Sequence, residues 1–510
     1  MSSYALDASD DDFDDDDDDI EVVNSHDFEI EDLLRRLQVA EQRLSELEGG
    51  YRNTSIFSES DLASDPSIFS DRAQSNAAIS SDDDLASDPS VFDDRKLKSN
   101  DLKASLGVNK ASTRPTVSVF GRVHLEALNF ARDSPGIGYF ENPITGADPE
   151  NRIQFRRIRL GAQGTLLNNG IYRLEFDLGN PSRFNYRDVY VGFEHLPFFQ
   201  TLLIGNQKRP LGLDTWNSNQ HVLFLERPLA LNAFNPNFRR IGIQSYGHSE
   251  NDRWNWQYGL FELQDIKEFG HYLGDSTQFS YNARFTGTPW YDEVSGGRGY
   301  LHLGVSNMVA TTDPNANPLS TDVNQSRFSV RPELQTSSSW LDTGTIAGVK
   351  DFNVTGLESV LNVGSLQVTG EYMTTVVDRQ NNSNLNFQGG YVQAAYFLTG
   401  EHEAWDREAG RLLRPKPLEK FFLVRKGNGD IGRGWGAWQV AARWSTLSLN
   451  DKDIHGGCED NWTLGLNWYW TPYSKVVFNM VDGHIRDRAP VGGFTDGHFT
   501  AFGTRLMIDF

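Results

Sequence analysis

Beyond Pro115, apolar side chains recur at every second position. Tyr172, Leu174, Phe176 and Leu178 alternate with Ile171, Arg173, Glu175 and Asp177, and Trp254, Trp256, Tyr258 and Leu260 alternate with Asn255, Gln257 and Gly259. Phe279, Tyr281, Ala283 and Phe285 alternate with Ser280, Asn282, Arg284 and Thr286. The pattern returns at Leu301, Leu303 and Val305, at Trp438, Val440, Ala442 and Trp444, and at Trp462, Leu464, Leu466, Trp468 and Trp470. It closes with Phe502, Leu506, Ile508 and Phe510 against Gly503, Arg505, Met507 and Asp509. Successive strand residues face opposite sides, so this period of two predicts strands with one apolar and one polar face. In a soluble sandwich the apolar faces meet; in a membrane barrel they face lipid and the polar faces line water. Trp and Tyr near the strand ends resemble an interfacial girdle, and the opposite faces carry small or charged groups. These features favour an all-β, antiparallel transmembrane β-barrel over residues 115–510 that closes on a strand ending at Phe510.

The first 114 residues obey other rules. Asp10–Asp19, broken only by Phe13, is a like-charge block that repels itself, so residues 1–28 are expected to be a disordered acidic tail. It lacks the spacing and central glycine of an EF-hand. It also lacks the basic and apolar regions of a secretory signal. Over 29–48, Ile30, Leu33, Leu37, Ala40, Leu44 and Leu47 fall on alternating steps of three and four before Gly49-Gly50. This spacing predicts a short coiled-coil helix, or an amphipathic helix packed on the barrel. Residues 49–114 are a Ser/Asp-rich linker, in which Asp61–Arg72 is repeated degenerately as Asp84–Arg95.

Charge follows the same division. The net charge of −23 is concentrated in residues 1–100, with 28 acids against 8 bases, leaving 42 against 39 for residues 101–510. That acidity argues against a nucleic-acid partner, which needs basic patches. No stretch approaches the 18 consecutive apolar residues of a membrane-spanning helix. One cysteine excludes an intramolecular disulfide.

Several segments, collinear along the chain, carry a further signal. They include Phe155-Arg-Arg-Ile-Arg-Leu-Gly161, Tyr172-Arg-Leu-Glu-Phe-Asp177, Arg187-Asp-Val-Tyr-Val191, Gly205-Asn-Gln-Lys-Arg-Pro-Leu-Gly212 and Phe224-Leu-Glu-Arg227. Others are Arg240-Ile-Gly242, Tyr396-Phe-Leu-Thr-Gly-Glu401, Ala441-Ala-Arg-Trp-Ser445 and Leu464-Gly-Leu-Asn-Trp-Tyr469. In this order they resemble the phosphate-selective porins O and P of bacterial outer membranes, and the resemblance implies a sixteen-stranded barrel in outer-membrane lipid, a homotrimer, and passive uptake of inorganic anions such as phosphate, with no cofactor. A general or sugar-conducting porin, and an envelope tether built on the N-terminal helix, are the alternatives.

A pore needs cations in its lumen rather than a nucleophile. Near Arg156-Arg157 the apolar positions change from odd (Ile153, Phe155) to even (Ile158, Leu160, Ala162). A bulge there would turn both arginines, and Arg159 after them, to the polar side. Arginine suits oxyanions because its planar fork donates two parallel hydrogen bonds. The competing reading pairs these arginines with wall carboxylates. The segment Lys208 to Arg227, after a strand expected to end near Gly205, reads as the long loop that in this family folds inward. Lys208 and Arg227 match the loop positions that supply constriction cations, with Arg209 adjacent and Arg240 opening the next strand. Asp214 and Glu226 could neutralise them. Arg173, Glu175, Asp177, Arg187 and Asp188 read as cross-strand pairs that stiffen the wall. No enzyme is expected: Gly274-Asp275-Ser276 lacks the following glycine of a nucleophile turn, and His455 with Cys458 makes at most a two-ligand pair.

Overall fold

The computed structural model describes residues 115–510 except 167–168, 180–184, 267–272, 274–277, 313–325 and 426–430. The acidic tail, the heptad helix, the repeat and Gly274-Asp275-Ser276 lie outside the described residues.

Sixteen antiparallel strands close into one barrel. They are β1 (Ser118–Asp133), β2 (Arg152–Leu166), β3 (Gly170–Asp177), β4 (Asn185–Leu196), β5 (Gln200–Lys208), β6 (Arg239–His248), β7 (Trp254–Glu262), β8 (Phe279–Tyr291) and β9 (Gly299–Thr311), followed by β12 (Val349–Val363), β13 (Leu366–Arg379), β14 (Leu385–Phe397), β19 (Ala437–Asp451), β20 (Ile454–Thr471), β21 (Ser474–Arg488) and β22 (Gly497–Asp509). The seam is the β1–β22 pair, Arg122 opposite Asp509 to Asp133 opposite Phe499. Small hairpins β10 (Arg327–Val330) with β11 (Leu341–Thr345), β15 (Trp405–Asp406) with β16 (Arg411–Leu412), and β17 (Phe422–Arg425) with β18 (Ile431–Gly434) sit in the connections, as do helices α1 (Pro135–Glu141), α2 (Leu213–Trp216) and α3 (Leu229–Phe234).

The period-two pattern sets the faces. Leu260, Tyr281, Phe285, Leu303, Val305, Trp462, Leu464 and Phe502 are exposed on the outside, while Asn255, Gln257, Asn282, Arg284 and Arg505 point inward and are buried. Polar groups inside and apolar groups outside is the arrangement that lipid demands, because hydrocarbon cannot solvate an unpaired polar group. The register slip predicted in β2 is present: His124 pairs with Arg157 and Leu125 with Phe155, leaving Arg156 as the extra residue.

Strand directions alternate, so connections fall at two ends. Most long ones (134–151, 209–238, 263–278 and 312–348) lie at one, the loop end. Short turns such as 364–365 and 472–473 lie at the other, where β1 starts and β22 finishes. Residues 398–436 break this division, being a long connection at the turn end.

One expectation is corrected. The strand placed as ending near Gly205 runs on to Lys208, so the inward loop is 209–238 and Lys208 belongs to the wall. Gly205 sits mid-strand, paired with Tyr190 and Gly242, at φ +136°, where a Cβ would lie 2.3 Å from the Val189 carbonyl oxygen. Close backbone approach explains this glycine, and the strand continues through it.

Candidate functional site

The barrel interior is divided into a dry side and a wet side. Three inserts from the loop end fill the dry side: α1, α3 and the β10–β11 hairpin bring Ile137, Phe140, Leu231, Phe234, Phe328 and Trp340 against Phe130, Phe352, Phe387 and Phe499 of the wall. Phe328 meets Phe234, Phe352 and Phe387 at centroid distances of 6.0, 5.4 and 5.7 Å, and Trp340 meets Phe499 edge-on at 5.0 Å. Fully burying a ring of this kind contributes roughly 1.5–3 kcal/mol. On the side walled by β1–β8 the inward residues are mostly polar, and this is the wet side.

Loop 209–238 is the partition between them, and wall groups hold it around its length. Glu371 of β13 accepts the backbone N–H groups of Leu213 (2.7 Å) and Asp214 (2.9 Å) and the Tyr391 hydroxyl (2.7 Å). Asn479 accepts Leu225 N–H at 2.7 Å, and Lys475 donates to the Val222 carbonyl at 2.8 Å. Glu333, from the connection carrying β10 and β11, accepts Leu229 N–H at 3.2 Å and pairs with Arg443. Glu226 meets three arginines: Arg156 donates to it at 2.7 and 3.2 Å, Arg157 lies at 3.9 Å and Arg505 at 2.9 Å. Burial disfavours the charged form of Glu226, but these arginines outweigh it and hold the carboxyl well below the usual carboxylate range.

The cations singled out from sequence occupy four environments. Arg156 and Arg157 do turn inward at the bulge, yet they grip the loop through Glu226. Lys208 and Arg227 come together on one acceptor, the Asn217 carbonyl, at 3.0 and 3.1 Å. Lys208 also donates to the Trp216 carbonyl at 2.8 Å, and Arg227 pairs with Asp214 at 3.0 Å. Arg159 is held on the wall by Asp177 (2.8 Å) and Glu175 (3.3 Å), as the competing reading had it. Arg209 is buried with Asn235 (2.7 Å) on the dry side, and Arg240 donates to the Leu263 carbonyl (2.6 Å) near Asp265. Thus the seven do not form one cluster.

A different set faces the water. On the wet side lies an open cavity of about 870 Å³. Arg122, Arg159, Arg173, Lys208, Arg239 and Arg411 line it, against three carboxylates, Glu175, Asp188 and Glu408. Arg239 makes a two-point pair with Asp188 at 2.7 and 2.8 Å. Arg173 lies 3.1 Å from Glu175 and 3.7 Å from Asp188, with its guanidinium 4.2 Å over the Phe120 ring. The expected wall pairs of Arg173, Glu175 and Asp188 are therefore present, and they also line the water path. Arg122 was legible in β1, where Phe120, Arg122, His124 and Glu126 alternate with Val123, Leu125 and Ala127.

Arg411 carried no such signal, because it comes from the turn-end connection. Residues 403–412 enter the lumen and meet loop 209–238: Trp216 Nε1 donates to the Ala409 carbonyl at 2.9 Å, and Leu412 N–H to Asn217 Oδ1 at 3.0 Å. Asn255 donates to the carbonyls of Arg407 (2.8 Å) and Glu408 (2.7 Å), and Arg284 to that of Gly410 (3.1 Å). Trp405 lies 4.4 Å from the His302 ring, and the Tyr300 hydroxyl donates to the Glu403 carbonyl at 3.1 Å. Two segments from opposite ends thus meet inside the barrel, and both border the wet side.

The model of the phosphate-selective porin O and P family matches residues 134–510. An uncharacterized protein of Caulobacter vibrioides is 28% identical over 370 residues, covering 70% of this chain and 68% of that protein. Porin O of Pseudomonas aeruginosa is 25% identical over 393 residues, covering 70% of this chain and 82% of the porin. Among solved structures, the trimer form of in-vitro folded OmpT, an outer membrane protein of Vibrio cholerae, superposes with a TM-score of 0.47 at 11% identity, over 78% of this chain and 99% of OmpT. A family match over most of the chain, on a closed sixteen-stranded barrel with an apolar outer face, places it in the bacterial outer membrane, and the chain belongs to the phosphate-selective porin O and P family.

Proposed function

We propose that this porin conducts anions, phosphate or related oxyanions among them, along the wet side of the lumen, and that it works as a homotrimer. The observation that carries the reading is the excess of cations around the cavity between loop 209–238 and β1–β8: six against three carboxylates. The portion after residue 100 is close to neutral, so the preference must come from local placement rather than a diffuse field. A unit charge about 4 Å from one of these cations interacts by about 4 kcal/mol at an effective dielectric near 20, before desolvation is subtracted. Several such contacts offset lost hydration, while the carboxylates between the arginines keep each contact weak enough for release. Arg159 and Lys208 are the sequence-chosen cations that line this path; Arg156, Arg157, Arg209, Arg227 and Arg240 act on the anion indirectly, by shaping the loop and its surroundings. Residues 29–48 would trimerise alongside the barrel, 1–28 and 49–114 being tail and linker. The test is single-channel reversal potential in a salt gradient, repeated with added phosphate. Anion selectivity with phosphate block of chloride current supports the reading, and a reversal potential of cation sign overturns it.

A further inference from the structure

After leaving the lumen, connection 398–436 continues around the turn-end rim to the outside of the barrel. Arg414 is tied to the rim by the Pro472 carbonyl (2.8 Å) and Asp509 (3.1 Å). Phe421 N–H then bonds the Trp470 carbonyl at 2.8 Å, and the Phe421 ring packs on Trp468 and Trp470 at 4.6 and 5.7 Å. Trp468 stacks on Trp438 at 4.9 Å and donates its indole N–H to the Trp435 carbonyl at 2.8 Å. Trp438, Trp468 and Trp470 belong to the outward face of β19 and β20, at the lower edge of the lipid-facing band.

Four large apolar side chains prolong that edge: Trp435 is 75% exposed, Leu418 71%, Ile431 65% and Phe422 60%. Lys420 and Arg433 stand exposed among them, as does Glu419. Aromatic rings at the edge of an apolar band, with cations beside them, are the chemistry of a surface that rests at the boundary between headgroups and acyl chains. Because the patch continues the lipid-facing band without a break, lipid is its occupant; because Lys420 and Arg433 outnumber the exposed carboxylate Glu419 there, the headgroups it favours are anionic.

We propose that this patch is a lipid foot: Leu418, Phe422, Ile431 and Trp435 insert into the periplasmic leaflet, and Lys420 and Arg433 select anionic phospholipid there. The inference is independent of which ion the pore conducts. The full chain, carrying Cys458→Ala and an environment-sensitive dye on Ile431→Cys, is placed in nanodiscs of phosphatidylcholine with about a third phosphatidylglycerol. Iodide should quench this dye about fivefold less than one on Glu250→Cys, an exposed position in a water-facing turn at the same end. Equal quenching at the two positions overturns the proposal. A dye that nitroxide-labelled acyl chains in the nanodisc fail to quench also overturns it, since a neighbouring protomer rather than lipid would then cover the patch. In native mass spectrometry the protein should retain phosphatidylglycerol about threefold over phosphatidylcholine, and Lys420→Gln with Arg433→Gln should equalise the two. Equal retention by the unaltered protein overturns the headgroup selection.

Discussion

Arg156 and Glu226 form a two-point ion pair, 2.7 and 3.2 Å, between the one extra residue of strand β2 and the middle of the loop that divides the lumen. Without the bulge, Arg156 would face lipid and Arg157 alone would approach the loop. The same carboxylate takes Arg505 from the last strand, so a single side chain ties the loop to β2 and β22. Removing one partner of a buried pair leaves uncompensated charge, costing about 3–5 kcal/mol, far more than the pair's net contribution. Glu226→Gln should therefore raise amide exchange across residues 221–227 by about a hundredfold or more while leaving the strands protected. Hydrogen exchange read by mass spectrometry checks this; unchanged exchange in the loop would mean that Glu371, Asn479 and Lys475 suffice to hold it.

Selectivity should separate the two groups of cations. Arg122→Glu and Lys208→Glu reverse charges that line the wet cavity, so each should move the reversal potential toward cation selectivity. Arg209→Gln, on the dry side beside Asn235, should leave it within error of the unaltered channel. Bilayer recordings on the three variants make the comparison. A shift with Arg209→Gln as large as with Arg122→Glu would place the ion path elsewhere.

The turn-end insert should limit current. Deleting residues 402–413 removes Glu408 and Arg411 and the carbonyls that meet Asn255, Arg284 and Trp216. Single-channel conductance should rise by about twofold or more, with anion preference retained through Arg159, Arg173 and Arg239.

Seating of that insert should depend on pH through Glu403. Burial pushes its carboxyl up to about 7, against a hydrogen bond from Gln439 and the charge of Lys475 that favour ionisation. An ordinary carboxyl titrates near 4.3, so the seated form holds the proton more tightly than the released form. Seating is then strongest below about pH 4, weakens as pH rises to about 7, and is constant above, each unit in that window amounting to about 1.4 kcal/mol. Exchange of amides 405–412, corrected for intrinsic rate, should be faster at pH 8 than at pH 5, and Glu403→Gln should flatten the difference.

Most of the barrel was legible because each strand repeats one simple contrast, outside apolar and inside polar, and because the phase change at Arg156-Arg157 signals the bulge directly. What escaped has no period. Gly205 reads as a terminator until the neighbouring carbonyl of Val189 is known to lie where its Cβ would be. Arg411 and Glu408 reach the lumen through a connection whose path is decided by contacts with Trp216, Asn255 and Arg284, far away in sequence. Arg156, Arg157 and Arg227 were recognisable as inward cations and Asp214 as a partner for Arg227, but the meeting of Arg156 and Arg157 with Glu226, and of Arg227 with the Asn217 carbonyl, could not be assigned from spacing alone.

On the lipid side, Leu464→Arg should destabilise the barrel by about 2–4 kcal/mol, the cost of a cation at the bilayer midplane, whereas Asn479→Ala on the lumen face should mainly loosen Leu225. Unfolding followed by the heat-dependent gel shift distinguishes the two.

The meeting of two inserts from opposite ends also constrains the order of assembly. Arg414 bonds Asp509 of β22, and Asp509 faces Arg122 across the β1–β22 pair that closes the cylinder. The connection 398–436 therefore takes its final seat against the last strand, with residues 403–412 lodged against loop 209–238. Sealing the wall and seating the insert share one carboxylate, so a defect in the insert should register as slow closure of strands that it barely touches.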